Sequence, residues 1–130
     1  MKKEINYSIE KLEKAFTKLK EGCKSASGEL EKDGVIQRFE FTFELLWKAL
    51  KIFLEEQGIE VKTPRESLKE AFRIELIKNE EIFLDMLKDR NRTSHIYDRE
   101  TAEEIFGRIS SQYVPAIEKV LEKLKEKLCR

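Results

Sequence analysis

Ile5, Ile9, Leu12, Phe16, Leu19 and Cys23 recur at steps of four, three, four, three and four through an otherwise charged stretch. That rhythm is a narrow apolar seam on a helix, and it predicts a first helix over about residues 3–24. Ser25-Ala26-Ser27-Gly28 interrupts it. Beyond the break Ile36, Phe39, Phe43, Leu46, Leu50 and Phe53 resume the repeat, while Val35, Phe41, Leu45, Trp47, Ala49 and Leu54 widen the stripe past one face. A helix apolar over so much of its circumference is either central in a bundle or covered by a second subunit, so a homodimer is expected.

Gly58 fits the C-terminal cap of this second helix. Thr63-Pro64-Arg65-Glu66 opens the next with proline at the first helical position and the two ends of a capping box. A short helix carrying Leu68, Ala71 and Phe72 follows and breaks near Asn79. From Glu80 a further helix places Phe83, Met86, Leu87 and then Arg90 on one side, which turns Arg90 toward the packed face. The last helix is expected over about residues 99–127, capped by Asp98, with Ile105, Ile109, Tyr113, Ala116, Val120, Leu124 and Leu128 inside. Pro115 lies in its interior and predicts a kink.

Composition agrees with long helices: 40% of residues are charged and 40% apolar, with five glycines and two prolines in 130 residues. The expected architecture is a single all-α domain over residues 1–130, an up-and-down antiparallel four-helix bundle with an additional short helix. Twenty-six basic residues balance 26 acidic ones, so any nucleic-acid or nucleotide binding must come from a local patch rather than from overall charge. No apolar run approaches the roughly 18 residues of a membrane span, and Met1-Lys2-Lys3-Glu4 leads into no signal-peptide core. A cytoplasmic protein without membrane association is expected. Cys23 and Cys129 have no metal or redox spacing, and up-and-down packing sets them at opposite ends of the bundle, against an internal disulfide.

Candidate chemistry concentrates in Arg90-Asn91-Arg92-Thr93-Ser94-His95-Ile96-Tyr97-Asp98, at a helix junction that holds the single histidine of the chain. On a helix Asn91 and His95 share a face, whereas Arg90 and His95 diverge by roughly 140°. Their convergence on one ligand needs a helix that unwinds near Thr93 or a second copy across a dimer axis. A packed-side arginine also needs an acidic partner, for which Asp98 or Asp89 could serve, or a bound phosphate. The same residues equally fit a structural junction, with His95 bonded to backbone and Arg90 in an ion pair.

Arg90-Asn91-x-x-x-His95-x-Tyr97 resembles the R-x4-H-x-Y motif of HEPN-domain proteins. Gln37-Arg38-Phe39-Glu40, Glu44-Leu45-x-Trp47-Lys48, Pro64-Arg65-Glu66 and Met86-Leu87-Lys88-Asp89-Arg90-Asn91 resemble one branch of them, the nucleotidyltransferase substrate-binding proteins. The resemblance spans about residues 5–125. It implies a dimerising helical bundle paired with a separate minimal nucleotidyltransferase. Some HEPN relatives are metal-independent ribonuclease toxins whose arginine and histidine form the active site. In related pairs the nucleotidyltransferase acts as antitoxin by attaching AMP to the motif tyrosine, here Tyr97. Other members are accessory, substrate-binding subunits.

Ribonuclease chemistry needs a base for the ribose 2′-hydroxyl, an acid for the leaving oxygen and positive charge on the transition state. His95 suits base or acid, Arg90 suits the phosphoryl oxygens, and Asn91 orients either, with Ser94 and Asp98 in support. One chain offers one histidine, so a two-histidine mechanism requires a dimer. No cofactor and no metal site are expected, because the chain lacks His/Cys clusters, and its carboxylates read as solvated helix faces. Nor does the chain carry a Gly-Ser with paired aspartates or a phosphate-cradling glycine loop, so nucleotidyl transfer itself belongs to another protein. Two functions follow as expectations: an RNA-cleaving toxin controlled at Tyr97, or a non-catalytic substrate-binding subunit of a two-component nucleotidyltransferase. The intact Arg90, His95 and Tyr97 favour the first. Charge neutrality favours the second.

Overall fold

The computed structural model describes residues 2–95 and 98–128, excepting the side chains of residues 2 and 94. Helices α1 (Lys2–Ser25), α2 (Glu29–Glu56), α3 (Pro64–Arg73) and α4 (Glu80–Arg92) are followed by a 3-10 turn at Thr93–His95. Helix α5 (Arg99–Arg108), a π-helical segment (Ile109–Tyr113) and α6 (Val114–Leu128) then form one continuous rod. Among the described residues there is no strand.

The seam read on α1 is the one that packs: Ile5, Ile9, Leu12, Phe16 and Leu19 are all buried. Against it α2 contributes Val35, Ile36, Phe39, Phe43, Leu46, Leu50 and Phe53. Lys20 pairs with Glu118 at 2.9 Å and Glu13 with Lys125, so α1 and α6 run in opposite directions. Lys32 meets Glu103 at 2.8 Å, and Phe39 stacks on Tyr113 at 5.3 Å between centroids, so α2 and the last rod run the same way. Four long rods alternating in direction, with α3 as the short extra helix, make the expected bundle.

Local chemistry sets most boundaries. Thr63 Oγ1 accepts from the Glu66 amide at 3.2 Å, and Glu66 Oε1 accepts from the Thr63 amide at 3.1 Å, closing the capping box. Glu31 performs the same return contact at the start of α2 by accepting from the Ser27 and Gly28 amides, which lowers its carboxyl pKa. Gly58 sits at φ +82°, and the Ile59 amide reaches back to the Leu54 carbonyl at 2.9 Å, a left-handed stop that glycine accepts without strain.

Two expectations need correction. The last helix is not α-helical throughout: over Ile109–Tyr113, just ahead of Pro115, it widens into π geometry, with the Val114 amide donating to the Ile109 carbonyl five residues back. A proline ring in regular α geometry collides with the carbonyl four residues earlier, and the wider turn relieves that collision while leaving Ile109 and Tyr113 buried. Second, the face of Met86 continues most deeply to Asp89, which is 3% exposed, and less deeply to Arg90, whose side chain is 33% exposed. The apolar excess on α2 is only partly covered, since Phe41 remains 61% exposed.

Candidate functional site

The end of α4 is fixed from beneath by a buried polar cluster. Arg108 donates to both oxygens of Asp89, from Nε at 2.8 Å and from Nη2 at 2.9 Å, and the Tyr113 hydroxyl donates to Asp89 Oδ2 at 2.5 Å. Burial first, and then the bond to Asp89, push the Tyr113 phenol well above its ordinary pKa, so it stays a hydrogen-bond donor. The bonds to Asp89 likewise hold the Arg108 guanidinium firmly protonated. Sequence reasoning missed this cluster, although Asp89 three residues after Met86 was the available sign.

Arg90 turns toward α2, where Nη2 donates to Glu44 Oε2 at 2.5 Å, while Nη1 reaches Asn91 Oδ1 at 3.3 Å. The acidic partner is thus neither Asp89 nor Asp98. Asp89 is taken by Arg108 and Tyr113, and Asp98 caps α5 by accepting from the Thr101 amide at 2.6 Å and from the Thr101 hydroxyl at 3.1 Å. Those bonds, the amide's first, lower the Asp98 carboxyl pKa.

Helix α4 tightens into 3-10 geometry at Thr93, with the Thr93 hydroxyl donating to the Arg90 carbonyl at 2.7 Å. Asn91 and the exposed His95 then line one open cleft of about 430 Å³ with Lys88, Arg92, Asp98 and Thr101. Arg90 does not line it. The structure therefore unites Asn91, His95 and Asp98 and leaves Arg90 beside them, joined through Asn91. Lys88 and Arg92 make the cleft locally basic, against Asp98. Tyr97 lies outside the described residues, as do the Ser94 side chain and Cys129. A second cleft of about 410 Å³ shares Asp98 and is acidic, lined by Glu29, Asp33 and Glu40 with Arg99 among them. No described helix is long and apolar enough to cross a membrane.

Residues 7–126 match the family described as "Nucleotidyltransferase substrate binding protein like". A Haemophilus influenzae protein named "Probable ribonuclease HepT" is 31% identical over 99 residues, covering 72% of this chain and 67% of its own. A crystal structure of a protein from Thermus thermophilus superposes with a TM-score of 0.77 at 34% identity, over 92% of this chain and 99% of that one. A solved structure from Haemophilus influenzae, described as revealing the fold of a substrate binding domain of a nucleotidyltransferase, superposes at a TM-score of 0.67 and 24% identity, over 96% of this chain and 99% of that one. That last likeness speaks for the fold alone. With 120 consecutive positions matched and the helical architecture shared, the chain belongs to the nucleotidyltransferase substrate-binding, HepT-like family.

Proposed function

We propose that this chain is a metal-independent RNA-cleaving toxin, working as a homodimer and controlled by a separate minimal nucleotidyltransferase that attaches AMP to Tyr97. The observation that carries the reading is the basic cleft in which Asn91 and His95 stand together beside Lys88 and Arg92, with Arg90 bonded to Asn91. An exposed imidazole can take a proton from a ribose 2′-hydroxyl or give one to a leaving oxygen. Arg90, one hydrogen bond from the cleft, is the group to receive phosphoryl oxygens, with Lys88 and Arg92 drawing the RNA strand in. The relative named as a ribonuclease supports the same chemistry. Two histidines in one site require the second copy, whose His95 would approach across the open side of the cleft.

Tyr97 lies two residues after His95 and one before the cap Asp98. An adenylyl group there brings a bulky phosphodiester anion into the cleft's neighbourhood and competes with RNA for the same charge, without refolding. Co-expression with the cognate nucleotidyltransferase is expected to add AMP, detected by mass spectrometry, and to silence cleavage. Tyr97→Phe is expected to abolish the addition. An adduct that persists in Tyr97→Phe would reject this control.

The alternative reading, a non-catalytic subunit that binds substrate for its nucleotidyltransferase, draws on the chain's neutrality and on the family's description. It predicts nucleotide or RNA binding in this cleft with no cleavage.

A further inference from the structure

The guanidinium of Arg90 is engaged in the free chain, and the way it is engaged differs from the structural pair next to it. Asp89, 4% exposed, is held by two parallel N–H donors of Arg108, whose own side chain is 30% exposed, and by Tyr113. Arg90 and Glu44 share a single contact, and their side chains are 33% and 31% exposed. Glu44 also has a second cation within reach, since its Oε1 lies 3.7 Å from Lys48 Nζ one turn along α2. A phosphate approaching Arg90 seeks paired N–H groups, and a carboxylate already on one nitrogen occupies both the position and the charge it would use.

We infer that Glu44 is an intramolecular competitor for Arg90, a carboxylate that occupies the guanidinium until a phosphate displaces it, with Lys48 keeping the released carboxylate paired. This rests on the reading of Arg90 as the phosphate-holding residue. Glu44 is then a positioning residue that lowers resting affinity, because only the fraction of molecules with Arg90 released is competent to bind. Single-point attachment makes release possible. Partial burial makes the contact strong enough to matter.

The test measures affinity of the full chain for a short 2′-O-methyl RNA, which lacks the nucleophilic hydroxyl and stays intact. Glu44→Gln keeps the side chain's shape and removes its charge, and it is expected to tighten binding by about tenfold. Glu56→Gln, an equal charge change at the exposed end of α2, is expected to stay within about twofold of wild type. Lys48→Gln is expected to weaken binding more in the wild-type background than in Glu44→Gln, since only the former needs Lys48 to receive a released carboxylate. Circular dichroism checks that each variant remains helical. If Arg90→Ala weakens binding but Glu44→Gln binds no tighter than wild type, or no tighter than Glu56→Gln, the competitor role is overturned and the phosphate role of Arg90 stands. If Arg90→Ala binds as wild type does, Arg90 is no phosphate contact and both fall.

Discussion

At Asp89 a carboxylate almost wholly removed from water faces Arg108 on both oxygens and the Tyr113 hydroxyl on one. Removing it leaves the buried Tyr113 hydroxyl without its acceptor and the partly exposed Arg108 guanidinium without its bidentate partner, where α4 meets the π segment. Breaking such a pair from one side is costly because the partner's charge remains. Asp89→Ala is expected to lower unfolding stability by about 3 kcal/mol, read from urea denaturation followed by Trp47 fluorescence. A loss under about 1 kcal/mol would mean that water replaces the carboxylate readily. Arg90, the neighbouring residue, was identifiable from its spacing to His95, but its partner was not. Glu44 lies 46 residues away, and which carboxylate on α2 meets Arg90 depends on the rotation of two packed helices.

Helix ends were readable because capping is local. Thr63 with Glu66, Asn79, Asp98 and Gly58 each act within a few residues of themselves. The π segment escaped because a widened turn has no short-range signature beyond Pro115, and its form answers to what Ile109, Tyr113 and Arg108 must reach. Glycine placement gives a check at this scale. A Cβ on Gly22 would stand 3.0 Å from Arg38 Nη1 and 3.1 Å from Val35 Cγ2, where α1 and α2 approach closely, whereas one on Gly34 would meet nothing within 4 Å. Gly22→Ala gains the helix propensity of alanine but crowds the buried Val35 and moves Arg38 off the Lys18 carbonyl it bonds at 2.6 Å, and is expected to destabilise by about 0.5 kcal/mol net. Gly34→Ala, inside α2, is expected to stabilise by roughly 0.5–1 kcal/mol. Thermal melts of the two variants should move in opposite directions. A shared sign would show that the close approach between α1 and α2 is looser than described.

For the whole molecule, the bundle topology followed from four apolar periodicities and short connections, which leave few ways to bury the stripes. The proposed two-histidine mechanism needs a second copy, since one chain holds one histidine. Phe41, 61% exposed on α2, with the partly buried Leu45 and Ile52 further along the same helix, leaves apolar surface that a second copy could cover. Light scattering is expected to give twice the chain mass at micromolar concentration, and Phe41→Glu to shift the population toward monomer while retaining helicity. A monomeric wild type at that concentration would remove the shared cleft. The central claim, that the cleft around His95 cleaves RNA without a metal, is tested most directly by incubating the purified chain with RNA in the presence of a chelator. Cleavage that persists with the chelator and disappears in helical His95→Ala and Arg90→Ala is the predicted result. Cleavage unchanged in His95→Ala, or none from wild type, would contradict it.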